Sequence, residues 1–279
     1  MSLKRVGFIG LGTMGKALAT NLMEAGFDLM VYDIREEPLN ELKTLGVKIA
    51  RSPSEVGAHG EVVELAVVND TQVESIVLGD NGALKGAAPG GVIVIHSTIH
   101  PKTVRKVAEQ AQAKEVGVVD AAMSGGETGA KAKSLCFMVG GRASLVERCR
   151  PVLEASGKFI FHVGESGMGA AAKLAQQSLI CLNRLAAYEG MLMAEKAGVN
   201  LDIFQKIVHV TSAQSHIADN WQLYREMKGL DPESARWRAH LFYEGLCPAL
   251  ELAHELGLSV PGLALVQQRF DWVLGIKRE

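Results

Sequence analysis

The sequence predicts two domains: an α/β domain built on a doubly wound, mostly parallel sheet, and an all-helical domain joined to it by a long helix. Three observations lead there. Residues 5 to about 163 alternate short β-rich runs with helical stretches. A glycine-rich turn, Gly10-Leu11-Gly12-Thr13-Met14-Gly15, joins the first apolar run to the first helical stretch. After Gly169 strand signals stop, and Ala170 to about Ala197 contains no proline, one glycine (Gly190) and many Ala, Leu and Met. These place the domains at residues 1–164 and 165–279.

The elements follow in order. Candidate strands are Arg5–Ile9, Asp28–Tyr32, Val62–Val68, Val92–His96, Gly117–Ala121, Leu135–Val139 and Lys158–Val163. Several are continuous apolar runs, as expected of parallel strands covered on both faces. The first helix is expected over about Thr13 to Ala25. Ser52-Pro53-Ser54-Glu55 combines an N-cap Ser, a Pro at the first helical position and a Glu at the capping-box position. Pro101 opens a helix through about Ala113. The Ala170–Ala197 helix has the length of elements that run between domains or subunits. Further helices are expected at about Asp202–Val210, Ile217–Met227, Glu233–Leu256 (entered through Asp231-Pro232) and Pro261–Leu274. Trp221, Trp237 and Trp272 read as helix-packing anchors, and Met191 and Met193 as core or subunit interface.

The glycine turn carries chemistry as well as shape. In strand–Gly-x-Gly-x-x-Gly–helix–strand–acid order, Gly10 permits the tight turn, Gly12 lets backbone approach a pyrophosphate, and Gly15 lets helix and strand pack closely. The helix start, with Leu11, Thr13 and Met14 around it, offers N–H groups and a positive dipole end to phosphates. Asp33 ends the second strand, where a carboxylate accepts hydrogen bonds from an adenosine ribose; Ile34 and Arg35 follow it. This is the fingerprint of a dinucleotide-binding Rossmann domain. Asp33 favours NAD, because a carboxylate repels the 2′-phosphate of NADP, while Arg35 leaves NADP possible. Val68-Asn69-Asp70 and Ser97-Thr98 end two later strands and would flank the same crevice, with Val68, Asn69 and Thr98 as cofactor contacts. Capping of helices or turns is an equally good reading for them.

Composition excludes other classes. The 279 residues are 48% hydrophobic and 22% charged, with net charge −2, so no basic field would draw in nucleic acid. No apolar run approaches the ~18 residues of a membrane span, and no signal peptide precedes the first strand. Cys136, Cys149, Cys181 and Cys247 are scattered, without metal-ligand or disulfide spacing, and the histidines His96, His100, His209 and His216 do not cluster. No metal site is expected. The expectation is a cytoplasmic protein with neither nucleic-acid nor membrane partner.

Two further segments point to a substrate. Ser124-Gly125-Gly126 follows a strand and exposes successive backbone N–H groups, a concavity suited to a carboxylate. Lys173 lies near the start of the long helix, with Gln176, Gln177 and Ile180 on the same face. A desolvated lysine there would exchange protons near neutrality; from spacing alone, a lysine running along apolar surface to solvent is the commoner outcome.

Together these segments resemble the β-hydroxyacid dehydrogenase family, the 3-hydroxyisobutyrate dehydrogenase-like proteins of the 6-phosphogluconate dehydrogenase superfamily, over nearly the whole chain. The carriers are Gly7-Phe8-Ile9-Gly10-Leu11-Gly12-Thr13-Met14-Gly15 with Ala19, Asn21-Leu22 and Gly26; Asp120-Ala121 with Ser124-Gly125-Gly126 and Gly129-Ala130; Met138-Val139-Gly140-Gly141; and Gly164, Gly167, Gly169 with Lys173-Leu174. The resemblance implies hydride transfer between a nicotinamide cofactor and a small 3-hydroxy acid, or its aldehyde or keto acid. It implies that Ser124, Gly125 and Gly126 hold the substrate carboxylate, that Lys173 gives or takes the proton with Gln177 beside it, and that the protein is a homodimer or homotetramer. The chain departs from the family twice. Gln176 and Gln177 stand where two asparagines are usual, and Glu244-Gly245 where a Lys-Asp pair is usual. The family's ordinary substrates therefore do not follow from the resemblance. An imine reductase-like or decarboxylating relative, and a non-catalytic dinucleotide-binding module, are the alternatives.

Overall fold

The structure is a computed structural model and describes residues 3–225 and 245–269. These residues fall into two compact units that divide after Lys173. The first unit holds eight strands: β1 (Arg5–Ile9), β2 (Asp28–Tyr32), β3 (Lys48–Ile49), β4 (Val62–Leu65), β5 (Val92–Ile95), β6 (Gly117–Ser124), β7 (Leu135–Gly140) and β8 (Gly157–Gly164). Eight helices alternate with them: α1 (Thr13–Glu24), α2 (Glu36–Thr44), α3 (Pro53–His59), α4 (Asp70–Leu78), α5 (Ala83–Gly86), α6 (Pro101–Gln112), α7 (Gly126–Lys131) and α8 (Ala143–Glu154). The long helix α9 (Met168–Lys196) crosses the division. The second unit continues with α10 (Leu201–His209), α11 (His216–Asp219), α12 (Trp221–Arg225), α13 (245–255) and α14 (Pro261–Gln268).

The strands form one sheet in the order β3-β2-β1-β4-β5-β6-β7-β8. Pairs from β3 through β6 are parallel, β7 runs antiparallel to β6, and β8 is parallel to β7. The sheet is doubly wound and mostly parallel, as the alternation predicts. Alternate side chains of β1 explain why both faces are covered: Val6 and Phe8 enter a core with Leu18 and Leu22 of α1, while Ile9 enters another with Val56, Val104 and Val107 of α3 and α6. Each fully buried side chain of this size contributes about 2 kcal/mol of transfer free energy. A buried polar strap crosses three strands: His96 Nδ1 donates to the Ala121 carbonyl at 2.8 Å, and its Nε2 meets Glu64 Oε2 at 3.2 Å.

Several expectations need correction. β3 is a two-residue strand, too short to leave a pattern. β8 is not a covered strand: Phe159, Phe161 and Val163 are exposed at the sheet edge. Ser52 caps α3 by accepting from Glu55 N, but the capping box is not closed, because the Glu55 carboxylate takes Arg51 N at 2.8 Å instead. The helix expected over Ile217–Met227 breaks at Asn220, whose amide donates to the His216 carbonyl at 2.8 Å. Trp221 packs edge-on against Tyr188 in the second unit's core; Met191 is buried there and Met193 is exposed. Asp231–Glu233, Trp237, Glu244 and Trp272 lie outside the described residues.

Candidate functional site

The carboxyl ends of β1, β4, β5 and β6 share one edge of the sheet, and the chain reverses its direction of winding between β1 and β4. Ligands of open α/β sheets bind at that switch point. The glycine turn lies there. Gly10 has φ +89°, and a Cβ on it would come within 2.5 Å of the Ala66 carbonyl. A Cβ on Gly15 would lie 1.9 Å from the Gly10 carbonyl oxygen and 3.1 Å from Phe8 Cε1, so the helix can seat on β1 only with glycine here. Gly12 differs: a Cβ on it would meet nothing within 4 Å. Its bareness leaves open space in front of the start of α1, where no side chain caps the helix and the first turn carries no acid. An uncapped N-terminus behind an open glycine is what a pyrophosphate requires, so these residues fit a dinucleotide. A cleft of about 580 Å³ adjoins, lined in part by Gly12, Thr13, Lys16 and Arg35. Leu11 is buried, Met14 packs into the core beneath, and Ile34 stands exposed after β2.

Asp33 ties the turn to β2. Its Oδ2 accepts from Leu11 N at 2.5 Å, and its Oδ1 from Arg35 N at 2.8 Å and Arg35 Nε at 3.1 Å. Burial alone would raise this carboxyl; the Arg35 guanidinium and the two N–H groups outweigh it and hold it below its ordinary value. Asp33 is therefore an anion at neutral pH, and the Arg35 charge is already spent on it.

After β4, capping is what the side chains do in this structure. Asn69 caps α4, accepting from Gln72 N at 3.0 Å, while Gln72 Oε1 accepts from Val68 N. Ser97 Oγ accepts from Val67 N at 3.0 Å and so joins the ends of β4 and β5 beside Thr98. His100 caps α6, its Nδ1 accepting from Lys102 N at 3.2 Å.

A second cluster forms where β6, β7 and the start of α9 meet. Antiparallel register sets Asp120, Ala122 and Ser124 opposite Gly140, Met138 and Cys136. These six share one face. The first turn of α9 seats on that face without clearance: a Cβ on Gly140 would lie 2.7 Å from Gly169 N, and one on Gly169 would lie 2.5 Å from the Met138 carbonyl. Asp120 locks the joint, its Oδ1 accepting from Gly167 N at 2.8 Å and its Oδ2 from Ala170 N at 2.7 Å. Burial raises the Asp120 carboxyl, and these N–H groups offset only part of that.

Lys173 lies one turn further along α9, toward Ser124 and Cys136. It is 9% exposed, so the snorkelling outcome is not what forms. Burial pulls its ammonium from 10.5 down to about 8, with the neighbouring Cys136 a small opposing influence. Cys136 is itself raised by burial and lowered by Lys173. Gly125 and Gly126 follow Ser124 with φ +129° and +60°, a turn that suits glycine. Ser124, which leads into Gly125 and Gly126, thus pairs with Cys136, and Cys136 lies within electrostatic reach of Lys173. Cys136 is a residue that motif reading does not place at this cluster, and it carries no signal in the sequence. Asp120 belongs to the motif of Asp120-Ala121 with Ser124-Gly125-Gly126; the structure adds its role as the clamp on the start of α9. Gln177 stands one turn after Lys173 on α9 and, within the second unit, lies against Gly245 of α13.

Comparison with known proteins gives the family. A model of the NAD-binding domain of 6-phosphogluconate dehydrogenase matches residues 5–164, and one of the NAD-binding domain of NADP-dependent 3-hydroxyisobutyrate dehydrogenase matches residues 167–275. An NAD-dependent L-serine dehydrogenase of Pseudomonas aeruginosa is 34% identical over 259 residues, 92% of this chain and 84% of the relative. A 3-hydroxyisobutyrate dehydrogenase of the same organism is 34% identical over 264 residues, 94% of this chain and 86% of the relative. The solved structure of a Mycobacterium tuberculosis 3-hydroxyisobutyrate dehydrogenase with L-serine superposes with a TM-score of 0.84 at 27% identity, covering 98% of this chain and 94% of that one. With a glycine turn open to a dinucleotide and a buried lysine near Cys136, the strand partner of Ser124, the chain belongs to the β-hydroxyacid dehydrogenase family, NAD(P)-dependent oxidoreductases of hydroxy acids.

Proposed function

We propose that this dehydrogenase prefers NAD and interconverts a small 3-hydroxy acid with its aldehyde or keto acid, with residues 1–164 as the dinucleotide domain and 165–279 as the substrate and oligomerisation domain. The observation that carries the reading is Lys173, buried on the face of Ser124 with its pKa brought to about 8. A group poised near the working pH both gives and takes a proton. When the carbonyl is reduced, the Lys173 ammonium donates to the nascent hydroxyl oxygen; in oxidation, the neutral amine accepts the hydroxyl proton. The nicotinamide, when bound, supplies hydride transfer. Backbone N–H groups of Ser124, Gly125 and Gly126 receive the substrate carboxylate, and the Gln177 carboxamide hydrogen-bonds the substrate. Gly10 to Gly15 cradle the pyrophosphate, while Val68, Asn69 and Thr98 border the crevice.

NAD preference follows from Asp33, an anion where a 2′-phosphate would come, with Arg35 held by that same carboxylate. Exposed Phe159 and Phe161 on β8 and Leu179 and Met193 on α9 support a homodimer or homotetramer. Among the described residues no helix is long and apolar enough to cross a membrane, which agrees with a cytoplasmic setting. The test is NAD reduction across small 2- and 3-hydroxy acids, including phosphorylated ones, with NADH oxidation on cyclic imines run beside it. Turnover of a hydroxy acid that Lys173→Ala abolishes supports the reading. Turnover of imines alone, or turnover untouched by Lys173→Ala, overturns it.

A further inference from the structure

Gly245 is buried and helical, and its φ is not in the left-handed region, so backbone conformation does not ask for glycine. What asks for it is Gln177. A Cβ on Gly245 would lie 2.6 Å from Gln177 Cγ, 3.1 Å from Cδ and 3.4 Å from Nε2. The glutamine lies across the bare backbone of α13 along its whole length, from its first methylene past Cβ to its terminal amide. Glycine inside a helix is otherwise unfavourable relative to alanine, and the three atoms nearest that Cβ all belong to Gln177. The bare backbone leaves room for the present course of Gln177; a Cβ at 245 would force its Cγ, and the carboxamide beyond it, to move.

We propose that Gly245 is a positioning residue for the dehydrogenase reaction, holding the Gln177 carboxamide in one direction so that residues 177 and 245 set substrate preference as a unit. The inference rests on the placement of Gln177 beside the substrate proposed above. The chemistry selected is that of a small hydroxy acid whose hydroxyl or carboxylate oxygen takes a hydrogen bond from a primary amide at fixed reach. Direction matters because hydrogen bonds weaken steeply as they bend.

The test is a double-mutant cycle in the full chain, Gln177→Ala against Gly245→Ala, read by thermal midpoint, by NADH affinity and by KM for the best hydroxy acid found. With Gln177 present, Gly245→Ala should lower Tm and raise KM about tenfold or more while leaving NADH affinity within twofold. In the Gln177→Ala background, the same change should raise Tm, as helix propensity dictates, and shift KM by less than twofold. A rise in Tm in the Gln177 background, or an equal KM effect in both backgrounds, overturns the proposal. If Gln177→Ala keeps full kcat/KM, the placement of Gln177 at the substrate falls, and this proposal with it. If Gln177→Ala loses activity and Gly245→Ala does not, the proposal falls alone and the substrate-site reading survives.

Discussion

Asp33 and Asp120 are two largely buried carboxylates near the same edge of one sheet, and their pKa values are shifted in opposite directions. Asp33 receives N–H groups from the glycine turn and from Arg35, together with the Arg35 guanidinium, and is held below its ordinary pKa. Asp120 receives N–H groups from the start of α9, and burial keeps it raised. Backbone N–H groups make a carboxylate an architectural clamp; at Asp33 a guanidinium adds to them and outweighs burial, and at Asp120 deeper burial outweighs the N–H groups. One end of the crevice therefore carries a fixed negative charge. The other holds a lysine in dry surroundings, where charge is costly and proton transfer is easy.

The comparison breaks most readily at Lys173. Lys173→Met should lower kcat by about 100-fold or more, the usual worth of a placed acid–base group, while raising stability at pH 7. The sign follows from linkage. Folding lowers the lysine's pKa from 10.5 to about 8, so the unfolded chain holds more protons between those values. Wild-type stability thus rises with pH over that window and carries the full cost, up to about 3 kcal/mol, below it. Urea denaturation of both proteins at pH 7 and pH 10 reads this; equal curves at pH 7 would show that the lysine is not desolvated. Carbonyl reduction should fall and hydroxyl oxidation rise through about pH 8, and Lys173→Met should flatten both profiles.

Asp120→Asn comes next. It turns one acceptor into a donor facing Gly167 N or Ala170 N, at a cost of about 2 kcal/mol. Because α9 carries Lys173, kcat should fall with NADH affinity retained; loss of both together would deny the clamp its local character. Asp33→Ser should then shift the NADH-to-NADPH affinity ratio by about tenfold toward NADPH, about 1.4 kcal/mol, since it removes an anion and releases Arg35. Fluorescence titration with the two cofactors decides it. Smallest is Asn69→Ala, which removes the α4 cap at about 1 kcal/mol. Its effect on Tm without a change in cofactor affinity would leave Asn69 a cap alone.

Legibility differed between the two ends for a definable reason. Gly10, Gly12, Gly15 and Asp33 lie within 24 residues, so strand, turn, helix and acid leave their spacing in the chain. At the other end, Asp120, Ser124, Cys136 and Lys173 come from two strands and a helix. The Ser124–Gly126 turn and Lys173 were visible as motifs, but antiparallel register alone puts Cys136 opposite Ser124. Asn69 was open to two readings, cofactor contact or cap, because polar residues at strand ends satisfy helix N-termini with the same atoms that would bind a ligand; the structure shows it capping α4.

By itself the sequence determined the alternation of strands and helices, the glycine turn, the acid after β2 and the long helix. These are local periodicities and conformational demands, and they act within a few residues. Only the tertiary structure decided that Lys173 is buried rather than solvated, that Asp120 clamps the helix carrying it, and that Gln177 lies against Gly245. Burial, register and steric clearance are properties of surfaces brought together from distant parts of the chain, and no local pattern encodes them.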